Sequence, residues 1–493
     1  MKTNKAFQLR FLSLVVAAIC ATGAGGALSQ VAPGALPTGG TVVGGQASIV
    51  QNNTTLTINQ TSNQALVNFS TFNVGSAALV DIRQPGAAAA LLARVTGQDP
   101  SRIYGQIKAN GALWLINPSG IMVGQGARID VGSFIASTLN VSDTDFLAGR
   151  LTFAAAGAAA GISNAGTINA AGGGRIYLVA PKVENAGTIN APNGEVLLAA
   201  AQNVQLVDTG HPGVSIVLSG ATGDVKNMGR ILAEVGRIGL AAGLVTNAGT
   251  ISASSAESVG GRVFLRATDL RTTSTSDINA NGTSGGNVVL AANNANIDGR
   301  VSATGSNGPG GSVDTSGHAS LNVKHAPTVG KGGEWLIDPY DLEVVAGDLG
   351  TAGDAGGVIT SGPTGTTVGA NVIADQLNQG TNVALATGAG GNGLGDIVVN
   401  AAITKTAGGD ARLTLRAHNN VVINAPITSS SGALGLDLKN NFFGNTGDVG
   451  YAATLAADLN LNGGRLDVSQ GEQQGNGTLN IIGGTTTLGT GSS

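Results

Sequence analysis

The feature that most constrains the fold is a seven-residue block that recurs in the middle of the chain. Its clearest copies have the sequence Asn-Ala-Gly-Thr-Ile-Asn-Ala, and versions of it occupy residues 164–170, 185–191, 227–233 and 247–253. Internal repeats at such intervals indicate stacked structural units that cannot bury their apolar face alone. The block therefore predicts a solenoid in which equivalent residues lie above one another.

A second motif between these blocks sets the period. It joins a glycine, a polar residue, a β-branched residue and usually a leucine, with the β-branched residue at Ile176, Val196, Ile238, Val263 and Val288. These positions are 20, 42, 25 and 25 residues apart. If the interval of 42 is counted as two units, the period is about 20 to 25 residues, which accommodates two or three strands separated by Gly/Asn turns.

We therefore predict an all-β fold, a right-handed parallel β-helix (β-solenoid). The repeated asparagine at one corner of each unit should stack into a ladder of side-chain hydrogen bonds. Helical repeats are the alternative for such a period. They are disfavoured because glycine and β-branched residues are poor helix formers and no apolar spacing of 3.6 residues persists.

The composition agrees with a narrow, regularly layered interior. Of 493 residues, 79 are glycine, 11% are charged and 3% are aromatic. Because aromatic side chains normally supply much of a core's buried area, this chain must pack small side chains instead. The net charge of −4 is small for this length and gives no reason to expect nucleic acid or an anionic membrane as a partner.

The N-terminus has the pattern of a secretory signal. Within residues 1–27, basic residues precede an apolar stretch that is followed by small residues, which predicts a signal peptide. A membrane anchor is the alternative, but the apolar stretch is short for a bilayer and no later segment is long enough to span one. Cys20 is the single cysteine, so we expect a mature chain without disulfides or a transmembrane segment.

The sequence changes character around Gly330, where a Trp-Leu-Ile-Asp-Pro segment begins at Trp335. Strand-like alternation resumes near Ile397. We predict a break or cap over residues 330–370, followed by further β-coils. A solenoid normally needs capped ends, so the Gly/Thr/Ser ending of the sequence leads us to expect a truncated product.

Candidates for catalysis and metal binding are few. They are His211, His318, His325 and His418 and the acidic pairs Asp143/Asp145 and Asp338/Asp341. The histidines lack the additional ligands that a zinc site needs, and both acidic pairs lie beside turn residues. We predict a protein that is not an enzyme and has no catalytic residues, no cofactor and no bound metal.

One turn stands out ahead of the repeats. A strand predicted over residues 113–116 meets Asn117, Pro118, Ser119 and Gly120. Asparagine suits the first position of a β-turn, proline presets φ at the second, and glycine suits the fourth. Any β-rich protein could use such a turn, so its meaning depends on its surroundings.

Those surroundings resemble the N-terminal domain of filamentous haemagglutinin-type two-partner secretion exoproteins. The matching segments are LPTGG at 36–40, NFSTFNV at 68–74, RVTG at 94–97, PSRIYG at 100–105, ANGALWLI at 109–116, NPSGI at 117–121, ASTL at 136–139 and, further along, WLIDP at 335–339. Two residues depart from the family pattern: Ser119 replaces an asparagine, and Ala93 stands where an asparagine is usual. Serine is also a good turn former, so we expect the turn to survive.

The resemblance implies a domain order and an export route. Residues 28–155 would form the two-partner secretion domain, residues 156–330 the β-solenoid repeats and residues 331–493 further coils, so that the transport domain is continuous with a repeat passenger. The chain would enter the periplasm of a Gram-negative cell and be captured by periplasmic modules of an outer-membrane barrel transporter. The residues implied in this recognition are Asn117, Pro118, Ser119, Gly120, Ile121, Arg94 and Val95.

The resemblance also implies a role outside the cell. We expect a secreted or surface-exposed adhesin that binds a host-cell or surface receptor, either protein or glycan. One alternative keeps the export route but makes the cargo a haemolysin or contact toxin. The other is a secreted β-helix polysaccharidase, which would need carboxylates and basic residues clustered on one face.

Overall fold

The protein is a parallel β-helix, which confirms the predicted all-β fold class. The computed structural model describes residues 31–208, 214–348, 357–362, 365–388, 395–440 and 453–470 and the short strands Gly475–Asn476, Leu479–Ile481 and Thr486–Thr487. The predicted signal peptide at residues 1–27, Cys20 and His211 lie outside the described residues. Each coil contributes up to three strands, which pair in parallel with the equivalent strands of neighbouring coils.

Sheet 1 contains the motif that set the period. Its strands pair so that Ile176 lies beside Val196, and Val263 beside Val288. The strands, in pairing order, are Gln64–Phe69, Ala90–Val95, Ala112–Ile116, Ser133–Ser137, Arg175–Val179, Glu195–Ala199, Arg237–Asn247, Arg262–Thr272, Asn287–Ile297, Ser312–Val323, Glu334–Asp338, Asn382–Ala386, Ala411–Arg416, Leu434–Asn440 and Leu466–Gln470.

Sheet 2 follows sheet 1 around a corner of each coil. The four longest strands of sheet 1, from Arg237–Asn247 to Ser312–Val323, continue around this corner and take part in both sheets. The other strands of sheet 2 are Ser101–Ile103, Ile121–Val123, Ile162–Asn164, Lys182–Asn185, Asp224–Asn227, Leu342–Val345, Ile359–Gly362, Gly365–Gly369, Ile397–Val399, Val421–Ile423, Ala453–Leu455 and Leu479–Ile481.

Sheet 3 contains the seven-residue block. Ile168, Ile189, Ile231 and Ile251 lie in register on successive strands and are fully buried. The strands are Thr55–Gln60, Leu79–Arg83, Gln106–Ala109, Arg128–Val131, Thr167–Ala170, Thr188–Asn190, Arg230–Leu232, Thr250–Ser252, Asp277–Asn279 and Arg300–Ser302, and the corresponding later strands are Ile403–Lys405, Ile427–Ser429, Leu459–Asn460 and Thr486–Thr487.

Two antiparallel strands cover the N-terminal end of the helix. Thr41–Gly44 pairs with the first strand of sheet 1, and Ala47–Asn52 pairs with the first strand of sheet 3. Gly475–Asn476 is antiparallel to the last strand of sheet 1. Behind the sheets, stacked Ile, Val, Leu and Ala side chains form one continuous interior. Each fully buried aliphatic side chain contributes about 1.5–3 kcal/mol, so stacked coils stabilise one another without large aromatic residues.

The predicted asparagine ladder is confirmed at the end of the sheet 2 strands. Asn164 donates to Asn185 over 2.8 Å, Asn185 to Asn227 over 2.8 Å and Asn227 to Asn247 over 2.7 Å. Asn247 then donates to Ser276 over 2.5 Å. The asparagines are buried, so each amide satisfies hydrogen-bonding groups that would otherwise be unpaired away from water.

The interval of 42 residues between Val196 and Ile238 is one coil, so its interpretation as two units was wrong. The two residues are direct partners on adjacent strands. The additional length forms an antiparallel pair, Ala201–Asp208 with Val214–Thr222, which leaves the helix and returns to it. Its strands have the same short apolar alternation as coil strands, which is why spacing alone could not distinguish an insertion from an extra coil.

This pair and Leu151–Ala154 form a three-stranded sheet outside the helix. Together with the short helix Asp143–Leu147 it covers the outer face of sheet 1 and encloses a second apolar cluster. Trp114 lies at its centre, edge-on to Phe146 with ring centroids 5.2 Å apart and stacked on Phe153 at 6.1 Å. The first part of the helix therefore has cores on both faces of sheet 1.

The change in sequence character near residue 330 coincides with a change in the coils. Trp335 is fully buried in the interior and donates its indole N–H to Thr315 over 3.0 Å. Within the described ranges, sheet 3 has no strand between Arg300–Ser302 and Ile403–Lys405. The helix Ala370–Asn378 packs against the latter strand and buries one apolar face.

Candidate functional site

The motif at residues 117–121 forms the turn that its residue types predict. Gly120 N–H donates to the carbonyl of Asn117 over 3.0 Å, which closes a four-residue turn between sheets 1 and 2. Gly120 has φ of 118°, a backbone conformation that favours glycine. The substitution of serine for asparagine at position 119 leaves the turn intact, as expected.

Asn117 holds the turn through its side chain and is fully buried. Its Oδ1 accepts from the backbone N–H of Ser119 over 2.9 Å, which fixes the turn itself. Its Nδ2 donates to the carbonyl of Asp99 over 3.0 Å and to Ser101 Oγ over 2.9 Å, both in the preceding coil. The side-chain amide of Asn117 therefore stabilises the turn and connects two neighbouring coils by hydrogen bonds.

The turn backbone also contacts the following coil. Ala160 N–H donates to the carbonyl of Pro118 over 2.9 Å, and Ile121 N–H donates to that of Gly161 over 3.3 Å. Ile121 is buried between strands of both neighbouring coils. Only Pro118 and Ser119 of the motif are partly exposed, so the folded chain presents little of the motif to a partner.

Arg94 and Val95 lie at the same corner. Arg94 is in register with Ile116, the residue before the turn. Its guanidinium donates to the carbonyl of Val141 over 2.8 Å and pairs with Asp143 at 2.7 Å. Val95 points inward and is buried, as is Ala93. The structure thus brings together all seven residues that the resemblance implies, and their role in recognition stays a prediction.

The acidic pair Asp143/Asp145 has local structural contacts. Asp143 pairs with Arg94, while Asp145 accepts from Ser142 Oγ over 2.6 Å and from Arg150 over 2.7 Å. These hydrogen bonds from Ser142 and Arg150 lower the pKa of Asp145. Both carboxylates therefore make contacts that hold the helix Asp143–Leu147 in place.

Asp338 has a different neighbour from the one that sequence spacing suggested. Asp341 accepts from the backbone N–H of Gly395 over 2.9 Å. Asp338 instead lies on the outer face of sheet 1, one strand from Asp314 and two residues along it. Burial raises the pKa of both Asp314 and Asp338, and the charge of Asp314 raises that of Asp338 further. Sequence reasoning missed this pair because only the strand register brings residues 24 positions apart together.

Two of the described histidines, His318 and His325, have different neighbours. His318 stacks on Tyr340 with ring centroids 5.5 Å apart, and His325 lies 3.9 Å from Asp298. Over the residues with described positions, no group of three or more His, Cys, Asp and Glu side chains is arranged to hold a metal ion. In the same residues, no helix has both the length and the apolar character required to cross a bilayer.

The corner turn thus joins two sheets of a parallel β-helix, and the external sheet covers one of them. The chain belongs to the TPS secretion domain family, whose model matches residues 34–290, and the resemblance to two-partner secretion exoproteins is confirmed. A TPS secretion domain implies export by the two-partner route, in which the partner is an outer-membrane transporter. The match extends beyond residue 155, and the division of the chain at that residue stays a prediction.

Solved and curated proteins extend the comparison. The structure is similar to the crystal structure of the HMW1 secretion domain from Haemophilus influenzae, with a TM-score of 0.50 and 20% identity, covering 90% of this chain and 100% of that one. A heme/hemopexin-binding protein from Haemophilus influenzae strain Rd is 36% identical over 103 residues, which is 21% of this chain and 11% of the relative. A second protein of that name from Haemophilus influenzae is 37% identical over 83 residues, 17% of this chain and 9% of the relative.

Proposed function

We propose that the protein is an adhesin that reaches the cell surface or medium by two-partner secretion. The observation that carries the proposal is the outer face of sheet 1. From Arg262–Thr272 to Glu334–Asp338, its outward side chains Phe264, Val289, Asp314 and Leu336 are partly exposed. A regular row of mixed apolar and charged side chains on a rigid rod suits binding to an extended surface.

The relatives' names do not determine this role. The aligned segments cover about a tenth of those proteins, so the binding of heme or hemopexin by the relatives is not a basis for assigning it here. No observation in the described coils favours a haemolysin or contact toxin.

A polysaccharidase is the second candidate, because Asp314 and Asp338 form a partly desolvated carboxyl pair on one face. Glycoside hydrolysis needs one carboxyl that stays protonated and one that is ionised, and the charge of Asp314 favours the protonated form of Asp338. An enzyme would release reducing ends from polysaccharides, and Asp314→Asn would abolish this release. We propose that the protein acts without catalysis, so we expect no release by the wild-type chain.

Adhesion is tested with purified, secreted chain. Labelled protein should bind cultured epithelial cells saturably, and the triple variant Val289→Lys, Asp314→Lys, Leu336→Lys should reduce binding at least fivefold. The matched control is Thr188→Lys with Thr250→Lys, which changes outward positions of sheet 3. Equal binding by wild type and both variants would argue against adhesion through sheet 1.

We also propose that the transporter recognises the corner motif before the chain folds. The support is the full burial of Asn117, whose amide is committed to hydrogen bonds within and between coils. Asn117→Ala should reduce the secreted amount several-fold in cells that express the cognate transporter, while Thr188→Ala, on sheet 3 outside the motif, should have little effect. If Asn117→Ala were secreted normally but had a lower melting temperature, the residue would have a structural role only.

A further inference from the structure

An open groove of about 480 Å³ runs across successive coils at the corner between sheets 3 and 1. Arg175, Glu195, Arg237 and Arg262 line it together with the glycine-rich turns that precede their strands. The groove thus has three positive side chains and one negative side chain, although the whole chain has a net charge of −4. The lining of this groove therefore has a local excess of positive charge.

Strand register arranges these side chains as a ladder. Arg175 is the partner of Glu195, Glu195 of Arg237, and Arg237 of Arg262. Adjacent strands are about 4.8 Å apart, so charged groups recur along the helix axis at that interval. The sequence signal was present in the second motif, since three of its five copies have arginine after the glycine. Only the register shows that Arg237 and Arg262 lie on adjacent strands and that Arg175 lies two strands before Arg237.

The one carboxylate in the ladder is already engaged. Glu195 pairs with Arg237 at 3.2 Å and accepts from the hydroxyl of Tyr177 over 2.6 Å. Burial lowers the pKa of Arg237, Glu195 raises it, and the nearby charges of Arg262 and Arg266 lower it again. Arg237 and Arg262 lie side by side on adjacent strands, an arrangement in which like charges repel and to which an anionic ligand is attracted.

The central arginine is held in position before any ligand binds. The guanidinium of Arg237 lies 4.4 Å from the centroid of the Phe264 ring. This cation–π contact and the ion pair with Glu195 restrict its rotamers. A side chain that is already ordered loses less conformational entropy when it binds an oxyanion.

The rim of the groove contains backbone strain and exposed apolar surface. Val235 has φ of 59°, which is unfavourable for a β-branched residue, whereas Asn193, its equivalent one coil earlier, suits this conformation. Val235 and Val259 are 39% and 54% exposed. Strain of this kind is retained mainly at functional sites, and exposed valine provides an apolar surface for the C–H face of a sugar ring.

We propose that this groove binds an acidic polysaccharide that lies along the helix axis, with its anionic groups on the stacked arginines. A polymer whose anionic groups recur along its length can contact Arg175 and, two strands further on, the adjacent pair Arg237 and Arg262. An acidic peptide is less suitable, because the strands that line the groove are paired on both sides and offer no edge for backbone hydrogen bonds. The inference rests on the proposed adhesive function and names a ligand class for it.

The test uses the full secreted chain and isothermal titration calorimetry. Polygalacturonate supplies carboxylates, dextran sulfate supplies sulfates, and dextran is the neutral control. Binding of either acidic polymer but not of dextran is expected, and the polymer that binds identifies the anion. The variant Arg175→Gln with Arg262→Gln should weaken binding more than tenfold, while Arg300→Gln, an exposed arginine on sheet 3, should leave it unchanged.

A second variant separates binding from folding. Val235→Gly relieves the unfavourable φ and should raise the melting temperature, yet weaken binding about threefold because an apolar contact is lost. Binding of dextran as tight as that of the acidic polymers, or no effect of the double arginine variant, would overturn the proposal. Poly-glutamate binding through the same arginines as tightly as the acidic polysaccharides would overturn the choice of a glycan.

Two further outcomes distinguish this inference from the broader ones. If the double arginine variant were secreted poorly while its binding to acidic polymers was unchanged, the groove would serve export and the proposal would be wrong. If the wild-type chain adhered to cells but bound no acidic polymer, the adhesive function would be supported and the proposal that the groove binds an acidic polysaccharide would be wrong.

Discussion

One row of outward positions on sheet 1 passes through two different environments. In the first coils it consists of Leu92, Trp114, Ile135, Tyr177 and Leu197, all at most 6% exposed beneath the external sheet and helix. After Gly239 the same row continues as Phe264, which packs against the edge of this second cluster, and then as Val289, Asp314 and Leu336. These four later side chains are partly exposed. The backbone ladder is alike in both parts, so the coil itself does not require a covered outer face.

The difference indicates that the two parts of sheet 1 have different roles. The covered part gains a second core, which stabilises the coils that contain the corner turn. The uncovered part has only the inner core and leaves its outer face available to solvent and ligands. The groove arginines lie where the first environment gives way to the second, with Arg237 against Phe264.

The largest expected effect tests whether the covered row is a true second core. Trp114→Ala removes a buried ring that contacts Phe146 and Phe153 and should cost about 3–5 kcal/mol. Val289→Ala, in the uncovered part of the row, should cost less than about 1 kcal/mol. Chemical denaturation monitored by circular dichroism measures both. Similar losses of unfolding free energy in the two variants would show that the covered part has no second core that the uncovered part lacks.

The next effect concerns the asparagine ladder at the end of the sheet 2 strands. Asn227 donates to one asparagine and accepts from another, so Asn227→Ala removes one hydrogen bond from each of two buried side chains and should cost about 1–3 kcal/mol. The control is Asn190→Ala, which changes an asparagine of the same repeat that is partly exposed on sheet 3. A loss at Asn190 as large as that at Asn227 would show that the ladder adds nothing beyond the turn preference of asparagine.

The ladder was predictable from the sequence because a solenoid's contacts join equivalent residues of neighbouring repeats. A period in the sequence therefore translates directly into contacts such as Ile189 with Ile231. The corner turn was predictable for a related reason, since its closing hydrogen bond joins residues three apart and depends on local backbone preferences.

The covering sheet was not predictable in this way. Contacts of Trp114 with Phe146 and Phe153 bring together segments that follow no period, and the strands of the external pair have the same pattern as coil strands. The charged ladder and the Asp314/Asp338 pair were missed because their chemistry depends on which outward positions stack. The strand register determines which outward positions are adjacent, and it can be read from the sequence only when every insertion is known. The interval of 42 residues contained an insertion that its length did not reveal.

The smallest expected effect is a change in melting temperature when an aspartate is replaced by asparagine. The change has opposite signs in the two parts and depends on pH. In the uncovered part, burial raises the pKa of Asp338, so its ionised form destabilises the fold at neutral pH. Asp338→Asn should therefore raise the melting temperature at pH 7. Because a raised folded-state pKa costs stability only above the unfolded value of about 3.9, the gain should disappear as the pH falls to about 4.

In the covered part, hydrogen bonds from Ser142 and Arg150 lower the pKa of Asp145. A lowered pKa contributes stability above the unfolded value and loses it as the pH falls through the folded value. Asp145→Asn should therefore lower the melting temperature at pH 7, by a small amount because the site is exposed, and the loss should shrink in acid. Melting curves of both variants from pH 7 to pH 3 check the signs. A higher melting temperature for Asp145→Asn at pH 7, or a lower one for Asp338→Asn, would contradict this contrast. It would mean that the ionised carboxylate does not stabilise the fold in the covered part or does not destabilise it in the uncovered part.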